Sequence, residues 1–374
     1  MEITVNRLDL QHTLGKILAA VSRNASTPIL SHVELVGMAG GLQLSATDLR
    51  VHATAECRAD SEKWGACAIP ADKLHGIVNS ADAELLTMSL GDNMTMEISG
   101  DTRKFSVMCL SADEFPAFPP IPSSRLQIGA GILPDLITAV DHASGREASK
   151  YHLCGVHLVS EGNRLTSVAT DGHRLALASR EIPDLADCIN PGITLPAPAC
   201  KLASAITGAI EYRMAGDGNN IHLSGGGLGL AVRLLEGQFP TFRRVVPTDL
   251  DGAFTVSAVD FASAIEACGV MIEGESKSVR LVMADDTLTV SALSRVGIAS
   301  ATIPALGDPG LAISVNSRFL LQSVKSLGGE IFVKYKDGLS PLMLIPVDHG
   351  KWDERLEILM PLRDGSSVTA KQEV

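Results

Sequence analysis

Aromatic side chains are scarce in this chain: Phe, Trp and Tyr together make up 4% of its 374 residues. Any core must therefore be aliphatic, built from Leu, Ile, Val, Ala and Met, and the 45% of hydrophobic residues supplies enough of them. Paired cysteines are missing as well. The seven cysteines (Cys57, Cys67, Cys109, Cys154, Cys188, Cys200 and Cys268) form no C-x-x-C pair and are odd in number. That argues against a disulfide framework or a metal site, and for small buried thiols in a reducing compartment. No apolar run reaches the roughly 18 residues of a membrane span, since Arg233 interrupts the best stretch, 228–235. The opening residues, Met1-Glu2-Ile3-Thr4-Val5-Asn6, carry neither the basic nor the apolar region of a signal peptide. The expectation is a soluble, cytoplasmic protein with no membrane partner. Positive charge is in deficit too. A net charge of -12 argues against a protein that coats nucleic acid with its whole surface, but it leaves room for a locally basic face.

What the chain does contain is a repeat. Ala46-Thr47-Asp48 recurs as Ala169-Thr170-Asp171, and a worn third copy, Ala292-Leu293-Ser294, follows at the same step of about 123 residues. Each copy closes a short alternating apolar stretch, such as Leu42-Gln43-Leu44-Ser45 or Leu165-Thr166-Ser167-Val168. Six segments with helical periodicity begin near Leu8, Ala71, Leu133, Ala197, Val259 and Asn316, so each repeat is itself two half-repeats. The first places Leu10, Leu14, Ile17, Leu18 and Val21 on one stripe, with Gln11, His12 and Lys16 opposite. Between the helices lie alternating runs bounded by turn residues, as in Leu85 to Leu90 and Thr95 to Ile98 around Gly91-Asp92-Asn93. One helix and several antiparallel strands per half-repeat define an α+β layering, with each helix face buried on a sheet.

Domain exits fall where Pro and Phe cluster, at residues 114–120, at 238–244 and at Leu359-Met360-Pro361-Leu362, because proline stops both helix and ladder. The expected domains are 1–121, 128–248 and 253–364, followed by a polar, frayed tail over 365–374.

The densest polar cluster is Thr170-Asp171-Gly172-His173-Arg174. One reading makes Asp171 and His173 an acid–base pair of a hydrolase. No nucleophile elbow, metal-ligand spacing or phosphate loop accompanies it. The other reading is a tight strand-to-strand turn, in which Thr and Asp bond local amides and Gly172 takes a φ that other residues avoid. It leaves His173 and Arg174 unexplained. Gly225-Gly226-Gly227 and Asp337-Gly338 read as hairpin turns. Basic residues recur near the helices: Arg7, Lys16, Arg23, Lys73, Arg146, Lys150, Lys201, Arg213, Lys277, Arg280, Arg318 and Lys325. Singly, each is a solvated charge; on six equivalent elements they would form a continuous positive surface.

Several segments together resemble the bacterial sliding clamp family, the beta subunit of DNA polymerase III. They are Thr27-Pro28-Ile29-Leu30, Ala46-Thr47-Asp48-Leu49, 168–176, Phe239-Pro240-Thr241-Phe242-Arg243-Arg244-Val245 and Met360-Pro361-Leu362-Arg363, and they span essentially the whole chain. The resemblance implies the DNA clamp fold, three tandem two-helix domains per chain. It also implies a head-to-tail homodimeric ring around double-stranded DNA, which a clamp loader opens and which tethers a polymerase. Such a protein is a processivity factor in DNA replication, not an enzyme, and needs no cofactor or metal. Twelve helices per dimer, spaced about 9 Å apart, close a circle of about 34 Å. Subtracting about 11 Å of helix thickness leaves a hole of about 23 Å, which passes a duplex without gripping it.

Carried over residue by residue, the family's groove for partner peptides comprises Leu153, Thr170, Gly172, His173, Arg174, Leu175, Pro240, Arg244 and Val245. It continues through Phe319, Leu339, Pro341, Ile358, Leu359, Met360, Pro361 and Leu362. It would receive short extended peptides with Leu or Phe anchors from the DNA polymerase III alpha subunit, the clamp loader, other polymerases and repair proteins. The DNA-facing positions would be Arg23, Asn24, Lys73, Arg146, Lys150, Tyr151, His152 and Lys201. At the dimer interface, the strand carrying Phe105 and Val107 would pair with Met271 and Ile272 of the other chain. The chain departs from the family in continuing eleven residues past Arg363 and in carrying Phe319 where some members have Tyr. Asp72 and Asn24 also stand where a basic residue is sometimes found. Two alternatives stay open: the hydrolase, and a specialised clamp paralogue that does not serve the main replicase.

Overall fold

The computed structural model describes residues 1–362 apart from 23–25, 124–125, 184, 186–188, 190–191, 215–217 and 273–276. Arg23, Asn24, Cys188 and the expected tail thus lie outside the described residues. The chain forms two compact units, Met1–Ile137 with Ile193–Glu236, and Thr138–Gly192 with the residues from Gly237 onward. The described residues contain six α-helices: α1 (Arg7–Ile17), α2 (Ala71–Ser80), α3 (Ile132–Val140), α4 (Ala197–Ala203), α5 (Ala258–Gly269) and α6 (Ser317–Leu327). They sit at the six positions where helical periodicity was read. Their starts follow from capping. Asn6 accepts the amides of Leu8 and Asp9 at 2.9 and 3.2 Å, and Asn316 does the same for Arg318 and Phe319 at 3.1 and 3.2 Å.

The strands Gly41–Thr47, Arg164–Thr170 and Thr287–Leu293 open at residues 41, 164 and 287, so the step of about 123 residues read from the sequence is the step of the fold. In the first unit, the 13-residue strand Val51–Lys63 has Gly41–Thr47 along one edge. Its other edge takes Leu228–Arg233 over its first half and Glu2–Asn6 over its second. The sheet continues outward from Glu2–Asn6 through Leu85–Leu90 and Thr95–Ser99 to Lys104–Met108, which is an edge strand. In the opposite direction it runs through Asn220–Gly225 and Ile210–Met214 to Leu126–Ile128. The hairpin at Gly226-Gly227 turns with φ of 56° and 73°, a conformation that glycine supplies without strain.

The second unit repeats the plan. Arg174–Glu181 has Arg164–Thr170 on one edge and Glu354–Leu359 on the other. Leu342–Pro346, Glu330–Tyr335, Gly252–Ser257 and Leu306–Gly307 follow in order. A separate four-stranded sheet runs Ile298–Pro304, Thr287–Leu293, Ser278–Ala284, Ala312–Asn316. Helices α5 and α6 pack with it into an aliphatic core in which Phe254 and Phe261 are among the few large rings. Met271 and Ile272 lie in the turn that closes α5, where their amides bond Cys268 and Gly269 at 3.1 Å each. Neither residue is on a strand, and Ile298–Pro304 is an edge strand of this sheet with an alternating half-exposed face.

Candidate functional site

The Thr-Asp turn is built by its own side chains. Thr170 Oγ1 donates to the Arg174 carbonyl at 2.6 Å and accepts the Gly172 amide at 3.1 Å, while Asp171 Oδ1 accepts the amides of His173 and Arg174 at 2.9 and 3.1 Å. The first repeat makes the same four bonds. Thr47 bonds Val51 and Leu49, and Asp48 Oδ1 takes the amides of Arg50 and Val51, all at 2.7–3.0 Å. The turn reading thus accounts for Thr, Asp and Gly, with Gly172 at φ 90°. Both Asp171 oxygens are engaged, since Oδ2 accepts Arg174 Nε at 3.1 Å. The carboxylate belongs to the turn, not to an acid–base pair with the His173 ring.

Arg174 is buried, and its guanidinium is committed inside the fold. Besides Asp171 it donates to Gln322 Oε1 at 2.7 Å and to the His142 carbonyl, and it lies over the Phe319 ring at 4.2 Å. Burial pushes its pKa below the usual arginine range, with Asp171 and Glu357 pulling the other way and Arg318 adding to the push. Arg174 was expected among the groove residues; its side chain also anchors the turn to α6. Helical i,i+4 spacing put Arg318 and Gln322 on one face of α6, a signal that the reading of the sequence passed over.

Beneath the turn is a second apolar cluster, Leu153, Val168, Leu175, Leu177, Phe239, Met343, Leu356 and Ile358. Leu175 sits opposite Ile358 across the ladder, and Arg174 opposite Leu359. The chain then leaves the strand but stays attached: the Met360 amide donates to His173 O at 2.9 Å and the Leu362 amide to Ser314 O at 2.8 Å. Of the expected groove residues, Leu153, Leu175, Ile358 and Leu359 are buried. Gly172, His173, Pro240, Arg244, Val245, Leu339, Met360 and Leu362 are exposed, and Thr170, Phe319, Pro341 and Pro361 are half-buried. Leu339 at 77%, Val245 at 47% and Met360 at 43% are large apolar side chains left to water beside a floor that excludes it. Leu339 is held by Asp337, whose Oδ1 accepts its amide at 2.9 Å. Phe239 and Phe242 fix the segment carrying Pro240, Arg244 and Val245. Phe239 stacks on His157 at 4.4 Å, and Phe242 packs against the cluster.

The floor rests on a buried ion pair. Arg355 and Glu357 are 2% and 0% exposed, and their side chains meet at 2.9 Å. Arg355 also donates to the carbonyls of Ala139 at 2.7 Å and Leu177 at 3.2 Å and to Ser326 Oγ at 2.7 Å. Glu357 accepts from Ser323 at 3.0 Å and faces His142 Nε2 at 3.1 Å.

The other expected positions are scattered on the surface. Lys73 on α2 pairs with Asp72 at 3.3 Å, both exposed, and Lys201 is exposed in the last turn of α4. Lys150, Tyr151 and His152 share the 3-10 helix Ala148–Leu153, just after Arg146. Phe105 and Val107 lie half-buried on the edge strand Lys104–Met108. No group of three or more His, Cys, Asp or Glu side chains that could hold a metal ion occurs among the described residues, and no helix there is long and apolar enough to cross a membrane.

Fold and site together define a repeated, aliphatic α+β scaffold that presents one turn-bounded apolar surface. The family model for the N-terminal domain of the DNA polymerase III beta subunit matches residues 1–119, and that for its central domain matches 127–241. The beta sliding clamp of Caulobacter vibrioides is 30% identical over 97% of this chain and 100% of its own length. That of Synechococcus elongatus is 28% identical over 93% of this chain and 96% of its own. Among solved structures, the sliding clamp (DNA polymerase III subunit beta) of Bartonella birtlesii, crystallised bound to griselimycin, superposes with a TM-score of 0.88 at 28% identity, covering 97% of this chain and 99% of that one. The chain belongs to the bacterial DNA polymerase III beta subunit family, the beta sliding clamps.

Proposed function

We propose that two copies of this chain close head to tail into a ring of six domains around duplex DNA. The ring tethers the DNA polymerase III alpha subunit, and exchanges it for the clamp loader, other polymerases and repair proteins, through the surface around His173. It catalyses no reaction, uses no cofactor and works in the cytoplasm. The three domains are those expected at 1–121, 128–248 and 253–364.

One observation carries the ring. In the first repeat, the strand after the Thr-Asp turn pairs with Leu228–Arg233, with Val51 opposite Val232. In the second, the equivalent strand pairs with Glu354–Leu359, with Arg174 opposite Leu359. Among the described residues, the third copy, Ile298–Pro304, ends its sheet with that edge bare, and Lys104–Met108 ends another with an edge bare. Bare, partly apolar edges are association hazards unless they are paired. Pairing them between two chains repeats the in-chain junction and closes a two-fold ring. Carrying both spacings one repeat further (123 residues from Val51 to Arg174, 127 from Val232 to Leu359) would set Phe105 of one chain opposite Gly297 of the other, beside Met271, since a Cβ on Gly297 would meet Met271 Cε at 2.8 Å. Met271 and Ile272 would then flank the seam rather than pair across it.

DNA contact would be shallow and sequence-independent, through Arg23, Asn24, Lys73, Arg146, Lys150, Tyr151, His152 and Lys201, as the chain's net charge of -12 requires. The test is topological. The loaded protein should stay on a nicked circular plasmid at moderate salt and run off after linearisation. A protein with both Phe105 and Val107 changed to Asp should sediment as a monomer and be retained on neither. Equal retention on circle and line would overturn the reading.

A further inference from the structure

A cavity of about 180 Å³ opens at one end of the His173 surface, between the Thr-Asp turn, the start of α6 and the segment before Ala148–Leu153. Arg146, Lys150, Arg174 and Arg318 line it, against the carboxylates of Glu147 and Asp171. The charges do not cancel. Asp171 is consumed by its turn and by Arg174, and Glu147 is matched by Lys150 at 3.8 Å. Arg146 and Arg318 are exposed and have no ion-pair partner among the described residues, on a chain that is strongly acidic overall. The positive charge of Arg318 already disfavours the proton on Arg174.

We propose that this cavity receives a carboxylate of the partner peptide, an Asp or Glu side chain next to the apolar anchors, held by Arg318, with Arg146 and Lys150 kept for the DNA contact proposed above. The proposal rests on the reading of the neighbouring surface as a peptide groove and names a determinant of which peptides it prefers. The cavity holds one side chain, and its wall includes the Phe319 ring and the exposed His173, both expected groove residues. Planar guanidinium groups bind carboxylates with two parallel hydrogen bonds, which favours an acid over a neutral isostere. A nucleic-acid strand is the poorer fit. Its phosphates come at regular spacing and need a row of cations, whereas these share one cavity of about 180 Å³ with Glu147 and Asp171.

Fluorescence anisotropy of labelled peptides on the full chain tests this. The peptides share one pair of Leu/Phe anchors, and a single Glu or Gln is walked through the flanking positions. In 50 mM salt one position should show the Glu peptide binding about tenfold tighter than its Gln twin. That ratio should fall to about twofold on R318A, persist in part on R318K, and shrink at 500 mM salt as screening demands. Peptides that bind equally well with Glu or Gln at every position refute the carboxylate site and leave the groove intact. Failure of every peptide to bind refutes the groove, and the proposal with it. A ratio unchanged on R318A moves the recognition elsewhere. Displacement of the Glu peptide by single-stranded DNA, itself weakened by R318A, would make the cavity a nucleic-acid site and overturn the assignment.

Discussion

Replacing Glu357 with Gln should be among the most damaging single changes in the second unit. The carboxylate is fully buried, and its removal strands the Arg355 guanidinium, 2% exposed, with only carbonyls and a hydroxyl around it. Breaking one side of a buried ion pair typically costs about 3–5 kcal/mol, because the surviving charge has lost its compensation and cannot reach water. For a unit of this size that corresponds to a drop in Tm of roughly 10 °C. R355M should cost about as much, since it leaves Glu357 buried with only Ser323 and His142. The double variant R355M/E357L should recover most of the loss, because a dry apolar pair of similar volume has no charge to desolvate. The coupling energy from the cycle should exceed about 2 kcal/mol.

The chain carries its own reporters, since Trp352 belongs to the second unit and Trp64 to the first. W64F therefore leaves the fluorescence of Trp352 to follow the second unit alone through a urea titration, which avoids treating two units as one transition. Because Glu357 lies one residue from Ile358 in the floor, E357Q should also weaken peptide binding at 25 °C. A loss below 1 kcal/mol for E357Q, or additive single variants, would refute the view that these two groups act as one buried unit.

Other expectations can be checked with the same titration. Leu49 holds φ at 71° in the first Thr-Asp turn, where the second has Gly172, and its side chain is 63% exposed. L49G should therefore stabilise the first unit, read from Trp64 with Trp352 replaced by Phe, by about 0.5–1 kcal/mol; a loss would refute the claim of strain. Burial pushes His157 down to about 4, so its ring is neutral in the fold but takes a proton in the unfolded chain once pH falls below about 6.5. Its contribution to stability is thus complete above that value and is lost as pH drops from about 6.5 towards 4, by at most about 3 kcal/mol. H157F should flatten the profile in that window, and an unchanged profile would show that His157 is not the group responsible. M360A, which trims an exposed wall of the proposed groove without touching its floor, should raise peptide Kd about tenfold with Tm unmoved; equal affinity would remove Met360 from the proposed site.

The alternating runs made the strands legible in the sequence, and the caps and stripes made the helices so. The Thr-Asp turn was legible because its bonds are local, each spanning no more than four residues. What the sequence concealed are the groups whose partners come from far along the chain. Glu354-Arg355-Leu356-Glu357 reads as a strand with a wet face, because polar alternation looks the same whether water or a helix covers that side. Only the arrival of Ser323 and Ser326 from α6, and of Ala139 and His142 from more than two hundred residues earlier, turns that face into an interior. The burial of Arg174 is concealed for the same reason: Phe319 and Gln322, which enclose it, come from far along the chain. Sheet edges were half legible. Phe105 and Val107 lie on an edge strand, whereas Met271 and Ile272 lie in the turn that closes α5, and the edge strand of that sheet is Ile298–Pro304, whose burial alternates along its whole length. Edges are properties of a sheet, and become visible only when the strands on either side have been counted.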